Sequence, residues 1–335
     1  MFSTITLALT LIMCKHSPDT AMIDTTSASF CIEPAGDTLC DYNWLVPEPE
    51  TFYDKQLYAG VHYMCPSVNP NNSNQFIYFE QDYGFPPKCD VITYDMSTEV
   101  KEVLFTFPGV MKGNLNWGQA GWIAFTYGYG GSIQLFKSDG SDYDQIVASS
   151  GMSFGEGGGG PAWSPDGNYI FYNAMINSGQ QAAGIVCDTN GTIISTHQVT
   201  SKPSWNSDNV ILGGGGITIV KLDLNTTTNS TIAILQNGLE LDEILSIEWL
   251  PDNHYGVFCK HRGLYRVDSF TGEVNLMKER CDMKNYKVLS VSNEGGFILC
   301  EKVVSWHTGP ASLEYRYEIW KMDINGCNEV RIPPK

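Results

Sequence analysis

A short unit returns six times along this 335-residue chain, and that return limits what the chain can fold into. The clearest copy is Pro161-Ala-Trp163-Ser-Pro165-Asp166-Gly167, followed by the strand-like run Tyr169 to Tyr172. Pro165 presets its own φ and Gly167 accepts a positive one, so the middle of the unit is a tight turn. Gly184 to Asp188 supplies a further run. Asn190-Gly191 makes a hairpin turn, and Thr192 to His197 returns. Counterparts of Trp163 stand at Val68, Trp117, Trp205, Trp249 and Val291, so successive anchors are 49, 46, 42, 44 and 42 residues apart. A period near 45 with four strand-like runs per unit marks a propeller blade. Each copy is a small sheet with two apolar faces that only its neighbours can cover. The expected fold is all-β: a six-bladed β-propeller with four-stranded antiparallel blades.

The copies differ in sharpness. Leu115 to Trp117 and the turn Ser138-Asp139-Gly140 belong to the second unit, Pro203 to Asn209 to the fourth, and Ile247 to Asn253 to the fifth. The first, from Val68 through Asp95, is the most degenerate. Trp163 to Gly167 (W-S-P-D-G), Ile319 to Gly326 (I-W-K-M-D-I-N-G) and the turn Ser138 to Ser141 resemble the TolB-like propeller repeat. The resemblance implies a central channel ringed by six blades. Variable connections would lie on one face, and the S-P-D-G and D-G turns on the other. Nothing in the chain resembles the separate N-terminal domain of TolB, so the propeller carries over and the role of that protein does not.

Ahead of the repeats, Ile5 to Cys14 is nearly all apolar or small, too short to span a bilayer but suited to a signal peptide. Residues 1–20 read as a signal peptide or lipoprotein signal, 21–45 as a linker and 46–335 as the propeller. Residues 46 to 60 are expected to supply a strand that closes the ring with unit six, because an open ring would expose a sheet edge. Leu11 to Cys14 resembles a lipobox, so a membrane contact is expected only through a lipid anchor at Cys14. The expected location is extracytoplasmic: periplasmic, outer-membrane lipoprotein or secreted.

With 20 Lys+Arg against 37 Asp+Glu, the net charge of −17 repels phosphate backbones and anionic lipid heads. Nucleic acid is therefore not an expected partner. Of the ten cysteines, Cys187, Cys259 and Cys300 sit in apolar strand-like runs and read as buried small hydrophobes. Cys31 with Cys40, and Cys65 with Cys89, are the local pairs to test first for disulfides, the pairing itself being left open by the sequence.

Function on a rigid scaffold tends to sit in loops. The variable connections include Gln81 to Cys89, Thr126 to Ser132, Lys260 to Gly263 and the longest, Lys302 to Tyr315. They carry Tyr127 and Tyr129, His261 and Arg262, and Trp306 and His307. These six are the candidate ligand-binding residues, suited by their aromatic and cationic groups to a peptide or a sugar at the channel mouth. No catalytic set is expected. Gly151-Met-Ser153-Phe-Gly155 matches G-x-S-x-G, but a Gly-rich run follows where a nucleophile elbow needs a helix. Gly157 to Gly160 and Gly213 to Gly216 lack the Lys-Ser/Thr of a phosphate loop, and the second reads as a tight turn between strands. No cofactor or metal is expected. The leading expectation is a non-catalytic propeller binding a protein or peptide on its loop face. The alternative is a carbohydrate-binding or lyase-like propeller.

Overall fold

The structure, a computed structural model, describes residues 61–332, apart from 83–85, 110–112, 128–131, 148–152, 155–159, 177–180, 198–200, 236–243, 261–262, 280–284, 295 and 310–311. The side chains of several strand-end residues, among them Tyr127, Trp306 and His307, also lie outside the description.

The described residues form six antiparallel sheets, taken up in chain order. Blade one is β1 (Val61–Val68), β2 (Gln75–Asp82), β3 (Lys88–Asp95) and β4 (Val100–Pro108). Blade two is β5 (Leu115–Trp117), β6 (Trp122–Tyr127), β7 (Ser132–Lys137) and β8 (Tyr143–Val147). Blade three adds a short β9 (Ser153–Phe154) to β10 (Ala162–Trp163), β11 (Tyr169–Ile176), β12 (Gln181–Asp188) and β13 (Ile193–His197). Blade four is β14 (Ser201–Trp205), β15 (Val210–Gly215), β16 (Thr218–Asp223) and β17 (Thr228–Ile234). Blade five is β18 (Ser246–Trp249), β19 (Tyr255–Lys260), β20 (Gly263–Asp268) and β21 (Val274–Glu279). Blade six is β22 (Asn285–Val291), β23 (Phe297–Gly309), β24 (Ser312–Asp323) and β25 (Val330–Arg331). The first strand of each blade lies against the first strand of the next, and β22 lies against β1, so the ring closes as a six-bladed propeller.

The packing explains why such blades cannot stand alone. Six apolar clusters are found among the described residues; five join two adjacent blades, and the one between blades one and two also takes in Val288 of blade six. Ile77, Phe79 and Val91 of blade one meet Trp117, Ile123 and Phe125 of blade two. The closing interface sets Phe76, Tyr78 and Ile92 of blade one against Leu299 and Ile319 of blade six. The apolar faces are hidden by the neighbouring sheet rather than within one, which is how a repeat architecture gains stability.

Two turns recur with the sheets. After the first strand, Asn206 Oδ1 accepts the N–H groups of Asp208 and Val210, and Asp252 Oδ1 accepts those of His254 and Tyr255. At the end of the third strand, an aspartate caps the outer hairpin in five blades. Asp95, Asp188, Asp223, Asp268 and Asp323 each accept a backbone N–H two residues on through Oδ1. In blade two Lys137 holds that place, and Asp139, two residues later, accepts the N–H of Ser141 through Oδ1. These are side-chain-capped turns, which Asp favours.

Several expectations need correction. The stretch Lys302 to Tyr315 is not an inserted loop: β23 and β24 continue through it, pairing Trp306 with Glu314 and His307 with Leu313. Val303, Val304, Tyr315 and Tyr317 are strand formers, and they carry the ladder outward. Gly213 to Gly216 is not a turn as a whole. Gly213, Gly214 and Gly215 pair with β16, and only Gly216 takes a positive φ. Gly214 is needed because a Cβ there would lie 2.7 Å from Cγ2 of Ile244. Cys65 and Cys89 do not bridge. Both are buried thiols, as are Cys187, Cys259 and Cys300, and burial pushes Cys89 and Cys187 up to about 12. Cys327 is held in a disulfide whose other half lies outside the described residues, as do Cys31 and Cys40. The expected closing strand at 46–60 also lies outside them. The outer strand of blade six is its own β25.

Candidate functional site

The repeat brings one position of every blade to the axis. The residue immediately before each anchor is Ser67, Asn116, Ala162, Ser204, Glu248 or Ser290. All six line one cavity of about 390 Å³. The cavity is wide enough for a side chain or a chain end, and its wall is a first-strand residue from each of the six blades. It continues among the inner turns, past Gln119, Pro165, Ser207, Asn253 and Asn293, and so opens on the turn face. A smaller space of about 20 Å³ continues the channel the other way, between Pro161, Pro203, Ser246 and Val288. Asn116 and Glu248 line both, so they mark the waist.

The serines hold the ring together there. Ser67 Oγ accepts the backbone N–H of Trp117 at 2.9 Å, and Ser204 Oγ that of Trp249 at 3.0 Å. Ser290 Oγ accepts the N–H of Val68 at 2.9 Å, which closes blade six onto blade one. Two anchor indoles reinforce this: Trp163 Nε1 donates to the Asn116 carbonyl and Trp249 Nε1 to that of Val210, both at 3.1 Å. Each bond crosses a blade boundary, so the lining is rigid by construction.

Glu248 occupies this position in blade five, where the other blades carry an alanine or an uncharged polar residue. Ser204, fixed by Trp249, donates its hydroxyl to Glu248 Oε2 at 2.6 Å. Protein packs densely around the carboxyl, but Glu248 is only half-buried because it faces the channel. Burial dominates its ionisation. It pushes the group up to about 7 from 4.5, with the Ser204 bond pulling weakly the other way. Among the described residues lining either space, Glu248 is the sole titratable side chain.

A stability prediction follows, with its sign. Between about pH 4.5 and 7 the folded chain keeps a proton that the unfolded chain has released. The stability this proton lends is full at low pH and lost as pH rises through 7, by roughly 3 kcal/mol. Glu248→Gln should remove that slope and be the more stable protein at pH 8. Urea unfolding of both proteins at pH 5 and pH 8 checks this, and a variant less stable than wild type at pH 8 would rule it out.

A second polar group gathers where blades six and one meet. Lys287 Nζ donates to the Tyr317 hydroxyl at 3.1 Å, and the His62 and Tyr317 rings lie 5.2 Å apart. Glu301 Oε2 accepts the N–H of Cys65 at 2.7 Å, holding that residue at a φ of 54°. Burial lowers His62 to about 4. Burial also works against the Lys287 ammonium, but Tyr317, with Glu301 and Cys65 near, holds its pKa above the ordinary lysine value. Among the described residues no three His, Cys, Asp or Glu stand together as a metal site.

The candidates chosen from sequence fare differently. Tyr127 ends β6 opposite Ser132, and Trp306 and His307 lie in the β23–β24 hairpin rather than in a loop. Tyr129, His261 and Arg262 lie outside the described residues. Ser153 sits in β9, antiparallel to β11, not at a strand-to-helix turn. Sequence reasoning missed Glu248 and the ring of residues before the anchors. The signal was available: aligned on the anchors, the six positions read S, N, A, S, E, S.

No family model matches the chain, and no curated protein matches it. Among solved structures it is similar to one provisionally assigned as TolB from Agrobacterium tumefaciens, at 12% identity and a TM-score of 0.55, covering 71% of this chain and 86% of that one. It also matches an oligogalacturonate lyase in complex with manganese, at 13% identity and a TM-score of 0.49, over 65% of each chain. An oligogalacturonate lyase from Vibrio parahaemolyticus matches at 14% and 0.48, also over 65% of each. At such identities the likeness is one of fold alone, and the fold it supports is the six-bladed propeller that the described blades form.

Proposed function

We propose that this chain is a non-catalytic, extracytoplasmic binding module that receives a protein or peptide partner at its central channel. One observation carries the reading: a rigid cavity, walled by all six blades, that offers hydroxyl and amide groups for recognition. Its described lining holds one titratable side chain, so it lacks the paired acid and base that hydrolysis or elimination would use. The open end lies among the turns, and there we place the partner, rather than on the loop face that the sequence favoured. An oligosaccharide is the weaker occupant. Sugars stack on open indole faces, whereas three of the four indoles in the lining, Trp117, Trp163 and Trp249, are only 7%, 6% and 7% exposed, and Trp205 is half-buried. The export reading draws on the apolar Ile5 to Cys14 run and on the disulfide at Cys327, which suits an oxidising compartment.

The test is a peptide display selection on the folded protein, with a plugged variant as control. Gln119 and Ser207 are exposed at the rim, so Gln119→Arg with Ser207→Arg should fold normally while narrowing the entrance. Selected peptides should bind the variant at least about tenfold more weakly, an effect of about 1.4 kcal/mol. Peptides that bind both proteins equally, or a glycan panel bound in their place, would overturn the assignment.

A further inference from the structure

We infer that the channel waist is a receptor for a primary ammonium group, with Glu248 as its counter-ion; the inference rests on the funnel being the partner's site. Glu248 lines both the funnel and the space beyond it. It accepts one hydrogen bond, from Ser204, and has no cationic partner among the described residues. A carboxylate enclosed by protein with so little compensation is costly, and a cation delivered by a ligand relieves that cost.

The surrounding groups select the kind of cation. Ser204 donates to Glu248, and the funnel that they share is also lined by Ser67, Ser290 and Asn116. Each of those serine oxygens already accepts a backbone N–H from the next blade, which fixes where its remaining lone pair points. One negative charge in a ring of neutral oxygen acceptors suits a single positive charge carrying several N–H donors. A primary ammonium has one charge and three donors. A divalent ion would ask for more anionic ligands than one. The cavity narrows toward Glu248, so the ammonium must arrive on a slim, extended stem: a lysine side chain or the amino terminus of a chain.

Among the described residues Glu248 is the sole titratable group lining the two spaces, so the pH dependence has a simple sign. Alkylammonium ions stay cationic throughout the neutral range, while Glu248 gains its charge as pH rises through about 7. Binding should therefore strengthen from pH 6 to pH 8, by about tenfold.

The probe is n-butylammonium, titrated into the full chain by calorimetry or NMR, with n-butanol as the uncharged analogue. The expected result is binding that strengthens with pH, is absent for butanol, and weakens at least about tenfold in Glu248→Gln. Glu102→Gln, which neutralises an exposed carboxylate on β4 away from the channel, should keep the binding, and an unfolding midpoint of Glu248→Gln no lower than wild type separates loss of charge from disturbance of the channel. Equal binding by wild type and Glu248→Gln, or equal binding of butanol, overturns the inference. So does displacement of butylammonium by calcium at lower concentration, which would make the occupant a metal ion. Selected peptides separate the two readings. If they lose affinity for the plugged rim but not for Glu248→Gln, the funnel remains the site and the ammonium inference falls. If the inference holds, N-acetylation of the peptide or replacement of its lysines by norleucine abolishes binding, and whichever does so identifies the source of the ammonium.

Discussion

Glu329→Gln is expected to destabilise the protein by about 3–5 kcal/mol at neutral pH, the range for breaking a buried ion pair by removing one partner. Glu329 immediately precedes β25, the last strand of the propeller. Its two oxygens meet two lysines: Lys278 of blade five at 3.0 Å, and Lys302 of blade six. The side chains are 5% and 0% exposed, against 9% for the glutamate. Lys302 also lies 3.9 Å from the centre of the Trp320 ring and 5.5 Å from that of Tyr286, where the ring faces favour its charge. Neutralising Glu329 strips two buried ammonium groups of the carboxylate that they share. Replacing all three by apolar residues of similar size should cost far less, because none of these three charges is then left buried. Urea unfolding measures both variants. A loss below about 1 kcal/mol for Glu329→Gln would mean that the pair is hydrated like a surface bridge.

Trp163→Ala should cost a similar amount, about 3–5 kcal/mol, for a different reason. Trp163 is 6% exposed and belongs to the cluster that joins blades two and three. Its indole donates across the boundary to the Asn116 carbonyl and covers Gly118, where a Cβ would lie 2.7 Å from the ring. Removing it leaves a cavity in the interface and an acceptor at the channel waist without its donor. Trp163→Phe keeps part of the volume and should retain about half of the loss. The measurement is the denaturation midpoint at unchanged slope. A Trp163→Ala midpoint within error of wild type would show that the anchor does not wedge the blades.

The anchors made the fold legible because their chemistry is local: an indole, then a turn whose Pro and Gly declare their dihedrals. Val68 and Val291 could be aligned only by spacing, yet both occupy the same inner position as the tryptophans. What stayed hidden depends on contacts between blades. Gly213 to Gly215 look like a turn until Ile244 is seen against Gly214. The hairpin reaching Gly309 looks like a loop because nothing in a single chain shows how far a ladder continues. Cys65 and Cys89 look like a local pair, but each sits in its own strand as a buried thiol. Glu248 was legible as a residue and not as a site. Its meaning comes from five other blades placing Ser, Asn or Ala at the same point of the axis. The aromatic and cationic loop residues attracted notice because exposed side chains of that kind stand out in a sequence, whereas a channel lined by serine and asparagine does not.

The claim on which the rest depends is that six inner strands wrap a single carboxylate at the waist of a closed channel. The most direct measurement is the titration of that carboxylate, by NMR on protein carrying ¹³C-labelled glutamate, with Glu248→Gln to assign its resonance. A midpoint near 7 is the expected result. A midpoint near 4.5 would place Glu248 in open water and contradict the enclosed channel.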